Sequence, residues 1–124
     1  MGANNADFHG ATFTHSMSGG FVDVRAQLDG EDVGFLTFRD NDGRVEDIGV
    51  DEEHQQKGIG TGMWRHAQML HKTGQIPVAP QHSDYRTYEG EFFARSVGGD
   101  LPKNTAEWLQ DYPKDHVVRS YPND

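Results

Sequence analysis

Two stretches of this chain hold residues whose types and spacing suit chemistry. The first, "GVDEEHQQKGIGTGMWRHAQ" (49–68), sets Gly58, Gly60 and Gly62 within five positions. They follow an apolar run that ends in Val50 and precede a segment of helical spacing. Such a loop presents backbone N–H groups at the mouth of a helix, where aligned peptide dipoles add partial positive charge. That combination suits an anion, phosphate above all, and glycine lets the backbone approach closely or adopt φ > 0. The second stretch, "QHSDYRTYEG" (81–90), gathers His82, Ser83, Arg86 and two tyrosines. A histidine changes charge near neutrality. Arg86 suits a carboxylate, a phosphate or an ordinary ion pair. Ser83 reads equally well as a helix cap, and His82 as exposed surface.

The register of the glycines separates three phosphate loops. The Walker pattern needs G-K-[ST], but Lys57 precedes Gly58 here. The dinucleotide fingerprint needs G-x-G-x-x-G, and Gly58, Gly60 and Gly62 are one residue short of it. A third pattern, [QR]-x-x-G-x-[GA] between a strand and a helix, is met at every position from Gln55 to Gly60. The seven histidines lack metal-ligand spacing: His66 and His71 are five apart, not the four that share a helix face, so no metal is expected.

The elements that must hold these stretches follow from periodicity. "ATFTHSM" (11–17) is rich in β-formers, and "GFVDVRAQLDG" alternates apolar and polar residues as a half-buried strand does. "VGFLTFR" (33–39), the turn "DNDG" (40–43) and "VEDIGV" (45–50) continue an antiparallel meander. Met63, Trp64, Ala67 and Leu70 then recur at helical spacing, which predicts a helix over 59–72 closed by Thr73 and Gly74. "IPVAP" (76–80) predicts a short strand. Residues 82–99 predict a helix capped by Ser83 and stopped by Gly98 and Gly99. A turn of helix over 104–110 and an edge strand over 116–121 complete the order, and residues 1–9 are expected to be disordered. The result is one α+β domain over 1–124, in which 48–78 is a right-handed crossover unit.

Composition excludes several function classes. The 124 residues suffice for one domain with a core. With no cysteine, disulfides, thiolate zinc sites and thiol nucleophiles are absent together. A formal charge of −9 with scattered basic residues opposes nucleic-acid binding. No run is long and apolar enough to span a membrane, and the first residues lack the pattern of a secretory signal. A cytoplasmic protein is the expectation.

The unit "VEDIGVDEEHQQKGIGTGMWRHA", with the hairpin strand before it, resembles the acetyl-CoA-binding core of the GNAT superfamily of N-acetyltransferases. The resemblance implies a mixed, mostly antiparallel sheet with a central V-shaped splay and helices packed on it. Only "SGG" separates the first two strands, so the helices usual there are reduced or absent. It implies that the loop opened by Gln55 cradles the pyrophosphate of coenzyme A with the N–H groups of Gln56, Lys57, Gly58, Ile59, Gly60 and Thr61. Arg86, by its place beside the expected cleft, is a candidate for the 3′-phosphate. The main chain of Ile48, Gly49 and Val50, splayed from 76–80, would pair with the pantetheine arm, and the Val50 amide would face the thioester carbonyl.

The acceptor implied is a primary amine, on a protein lysine or N-terminus or on a small molecule. A carboxylate on the strand before the loop often serves as base in this superfamily. Strict alternation sends only one of Glu46 and Asp47 to the cleft, and Glu46 shares parity with Ile48 and Val50; a solvated carboxylate is the competing reading. The usual acid is a tyrosine in the last helix, but "FFARSVGG" puts Ala94 there. That leaves His82 and Ser83 as candidates, and Tyr85 or Tyr88 with shifted geometry. A catalytically weak or inactive domain acting through protein contact is the alternative. With the usual helices missing, the acceptor groove is open or completed by a second subunit, as in a homodimer.

Overall fold

The computed structural model describes residues 10–55 and 57–107. Four strands, β1 (Thr12–Ser18), β2 (Phe21–Leu28), β3 (Glu31–Arg39) and β4 (Val45–Val50), form one antiparallel sheet in sequence order. A 3₁₀ turn (Glu52–His54) leads to helix α1 (Ile59–Lys72), and a second helix, α2 (Tyr88–Val97), follows a long irregular stretch. The first two hairpins are tight because Gly19–Gly20 and Asp29–Gly30 all adopt positive φ, the twist that matches paired strands. The GNAT-like α+β layout expected from the sequence, without helices between β1 and β2, is the one observed. No helix among the described residues is long and apolar enough to cross a membrane.

Alternation builds the core on one face of the sheet. Val22, Val24, Ala26, Leu36 and Phe38 point to that face, where Ile59, Met63, Trp64, Ala67 and Leu70 of α1 cover them, with Ile76 and Phe93 completing the cluster. Each large side chain buried this way contributes on the order of 1.5–3 kcal/mol. The other face is polar: Asp23 accepts from Arg25 (2.6 Å) and Thr37 (3.0 Å), and Gln27 donates to Asp32 (2.9 Å). Arg25 also lies 5.6 Å over the Phe35 ring.

The last third departs from expectation in three places. Residues 76–80 form no strand, because Pro77 and Pro80 have no N–H to give a ladder. Instead one parallel bridge joins Arg44 to Gln81; Val45 N donates to Gln81 O (2.9 Å) and Gln81 N to Gly43 O (2.8 Å). The splay beside β4 is therefore made by residues 82–87, not 76–80. Helix α2 starts at Tyr88, and its cap is Thr87, whose hydroxyl accepts from Gly90 N (3.1 Å). Ser83 instead closes a local turn in which its hydroxyl accepts from Tyr85 N and donates to Tyr85 O, both at 3.1 Å. Of the helical turn expected over 104–110, residues 104–106 are not helical, residue 107 is in a 3₁₀ turn, and 108–110 lie outside the described residues. The expectations for 1–9, for the edge strand 116–121 and for Gln56 lie outside the described residues.

Candidate functional site

β4 is the edge of the sheet, and its hydrogen-bond register decides what that edge offers. Asp51 N donates to Val33 O (2.8 Å), so Val33 and Asp51 face each other as a bonded pair. In an antiparallel ladder such pairs alternate with unbonded ones. Gly34–Val50 and Leu36–Ile48 are then unbonded pairs, and the N–H and C=O groups of Ile48 and Val50 point away from β3. Two side chains mark that outward direction. Gln55 Nε2 donates to Val50 O (3.0 Å), and Ile48 N donates to Asp47 Oδ1 (2.9 Å).

Beyond this edge the chain parts after the Arg44–Gln81 bridge and leaves a small open cleft. Val45 to Ile48 form one wall; His82, Ser83, Tyr85, Arg86 and Thr87 form the other; Gly90 and Phe93 of α2 form the floor. Of the residues singled out from sequence, Glu46, Ile48, His82, Ser83 and Arg86 thus share one cavity. Gly49, Val50, Gln55, Lys57, Gly58, Ile59, Gly60 and Thr61 continue from its end along β4 and into α1.

The parity argument for Glu46 needs correction. The β3–β4 register shifts between Thr37 and Phe38, so Phe38 faces Val45 while Thr37 faces Asp47. Glu46 is the extra residue of this bulge, as two-against-one pairing requires. Strict alternation fails there, and both Glu46 and Asp47 line the cleft. Glu46 is 3.9 Å from Arg39, with its side chain 44% exposed.

The opposite wall is tightly held. His82 is buried, stacks on Trp64 with ring centroids 4.3 Å apart, and has Nε2 2.8 Å from the Gly98 carbonyl. That bond requires the proton on Nε2. Burial is the main cause that keeps the His82 pKa below the ordinary histidine value, so the ring is neutral. The competing expectation of an exposed His82 is thereby corrected. The Ser83 hydroxyl, besides its own turn, accepts from Arg44 Nε (3.3 Å), and Arg44 also pairs with Asp84 (2.7 Å). Arg86 is buried and gives Nε to Glu91 (2.7 Å) and NH1 to the Ser83 carbonyl. The ion pair of Arg86 is with Glu91, and it is buried rather than on the surface. Tyr85 is 54% exposed on the cleft lining, and Ala94, at the expected acid position, is buried. The Tyr88 side chain lies outside the described set.

At the loop, Gly58 has φ 79° and ψ 8° and caps α1 without a side-chain bond. The first intrahelical bond runs from Gly62 N to Gly58 O (2.8 Å), so the N–H groups of the first turn come before the ladder begins. Gly60 serves a different purpose: a Cβ there would lie 3.2 Å from the Phe93 ring. It lets the start of α1 press against α2. Glu91 and Asn104, which hold the 82–87 wall from behind, were not foreseen; their bonds to Arg86 span 5 and 18 residues, and no local pattern announces those.

Residues 4–77 match the model of the Acetyltransferase (GNAT) family. The fold resembles a ribosomal-protein-alanine N-acetyltransferase from Brucella melitensis biovar Abortus 2308, with a TM-score of 0.56 and 19% identity over 66% of this chain and 65% of that one. It also resembles an aminoglycoside acetyltransferase from an uncultured soil metagenomic sample, with a TM-score of 0.53 and 19% identity over 68% and 67% of the two chains. This chain therefore spans about two thirds of the length of either. At such identity the likeness is one of fold. No curated protein matches the chain.

Proposed function

The chain belongs to the GNAT family of acetyltransferases, and on that premise we propose that it moves an acetyl group from acetyl-CoA to a primary amine. One observation carries the reading. A strand edge with Val50 N–H turned outward runs directly into a loop whose helix opens on a left-handed Gly58. The pyrophosphate rests on the N–H groups of residues 57–61, where the helix dipole favours negative charge. The pantetheine arm lies along Ile48–Val50, and the thioester enters the cleft against 82–87.

The amine lone pair attacks the thioester carbon, and the carbonyl oxygen takes the negative charge. Val50 N–H is the donor placed to stabilise it. Glu46, with Asp47 beside it, accepts the amine proton, directly or through water. Collapse of the tetrahedral intermediate breaks the C–S bond, and the leaving thiolate takes up a proton. Neutral His82, with its N–H committed to Gly98, and Ser83, bound into its turn, act as wall. Tyr85 offers the phenol that this last step needs.

The two structural relatives are named for a ribosomal-protein alanine and an aminoglycoside, which differ in size. The acceptor is accordingly proposed only as a primary amine, bound over an open groove or one completed by a second copy. A domain that holds acetyl-CoA without turnover is the second reading, favoured by the buried Ala94 at the usual acid position. Calorimetric titration with acetyl-CoA, then thiol release across pooled amines, separates the two. Absence of acetyl-CoA binding would sink both.

A further inference from the structure

Behind the 82–87 wall lies a buried polar cluster that the proposed chemistry does not use. Arg86, Glu91 and Asn104 are 7%, 5% and 8% exposed. Glu91 Oε1 accepts from Arg86 Nε (2.7 Å) and Asn104 Nδ2 (3.1 Å), and Oε2 accepts from Arg95 Nε (2.8 Å). Burial pushes the Glu91 carboxyl up, but these partners outweigh it and hold the group below the usual range, so it stays ionised.

The Asn104 carboxamide does for Arg86 what a neighbouring strand would do. Its Oδ1 accepts from Arg86 N (3.0 Å), and its Nδ2 donates to Arg86 O (3.1 Å). One residue on, Thr105 N donates to Asp84 O (2.7 Å). The back of the wall is thus satisfied by side chains and a short stretch of coil. The front is the cleft, lined by Ser83 and Arg86 themselves, and Arg86 also holds the Ser83 carbonyl. Glu91 sits on α2 between Gly90 and Phe93, which form the floor. A shift in this cluster therefore moves wall and floor together.

We infer that Glu91 and Asn104 are positioning residues that, through Arg86, fix how far residues 82–87 stand from β4. They thereby set the width of the slot for the acyl-bearing arm. This rests on the acetyl-CoA reading above. The α1 loop lies on the other side of the cofactor's length, so the two halves of the ligand report separately.

The test uses the full chain with Glu91→Gln and Asn104→Ala, and two probes: coenzyme A, and adenosine 3′,5′-bisphosphate, which lacks the pantetheine arm. Each variant should bind coenzyme A about tenfold more weakly, while bisphosphate affinity changes by less than about twofold. In the acetylation assay, kcat should fall on the order of 100-fold, as expected for misplaced reacting groups. A purely stabilising role predicts a lower melting temperature with both ligands affected alike. Parallel loss of both, or loss of neither, overturns the inference. If Glu91→Gln leaves Arg86 uncompensated and the protein does not fold, Asn104→Ala decides, since it keeps the ion pair. A wild-type chain that binds neither probe overturns the cofactor reading itself, whereas wild-type binding with parallel loss in the variants overturns only this inference.

Discussion

Gly43→Ala should open the V at its base. Gly43 has φ +80°, and a Cβ there would stand 2.0 Å from the Ala79 carbonyl oxygen, a backbone atom. The left-handed conformation alone costs an alanine roughly 1–2 kcal/mol. Relieving the clash takes a retreat of about 1 Å by residues 79–81, which stretches both bridge bonds, Gln81 N to Gly43 O and Val45 N to Gln81 O, beyond useful length. Each such bond is worth about 1 kcal/mol net. The expected loss is therefore about 3–4 kcal/mol. Gly74 supplies the control: its φ is +81°, and nothing lies within 4 Å of a Cβ there. Gly74→Ala should lose only the conformational part, about 1–2 kcal/mol. Urea denaturation measures both, as a lower midpoint at unchanged slope. Because residues 81–87 run on from the bridge, Gly43→Ala should also weaken coenzyme A binding while Gly74→Ala leaves it unchanged. Equal stability losses in the two variants would refute the idea that the bridge anchors the cleft.

Three further outcomes are expected. Val50→Pro removes a donor that faces away from β3 and leaves the ladder intact, so kcat should fall about 10²–10³-fold with acetyl-CoA binding retained; a fall of less than about tenfold removes Val50 from the oxyanion role. Trp64→Ala, which takes away a core residue stacked on His82 and edge-on to Phe93, should cost about 3–5 kcal/mol in chemical denaturation, and a loss below about 1 kcal/mol would contradict the packing described. His82 and His66 both have pKa values lowered by burial, His66 also by His15. The unfolded chain therefore binds protons more readily, and stability, complete above an unfolded pKa of about 6.5, should erode as pH falls through that value. Melting midpoints that rise between about pH 7 and 5 would show the sign to be wrong.

What could be foreseen from sequence is what local chemistry controls. β4 and α1 begin and end where periodicity puts them, because alternation, the glycine entry and the Thr73–Gly74 exit are all local signals. The wall of the cleft was less legible. Ser83 and Thr87 are both sound caps by type, and only the tertiary contacts of Ser83 with Arg44 settle which one starts the helix. The apolar run at 76–80 suggested a strand although its two prolines cannot donate, and pairing passed to Gln81. A one-residue bulge at Glu46 undid the parity argument, since register is a property of two strands and no single strand reveals it.

The glycine loop shows the same division within one motif. Read as sequence, Gly58 and Gly60 share a single purpose, close approach of backbone to ligand. In the structure they differ. Gly58 is there for its φ of 79°, which turns the chain into the first helical turn ahead of the bond from Gly62 N to Gly58 O. Gly60 is buried in α1, and its missing Cβ makes room for the Phe93 ring. Phe93 also forms part of the cleft floor. The second glycine of the motif thus seats the start of α1 on α2. A bulky residue at position 60 would disturb the packing of α1 on Phe93, so loss of binding there would not by itself locate the phosphate. Position 58, where the chain needs a left-handed φ of 79°, is the sharper probe of the loop.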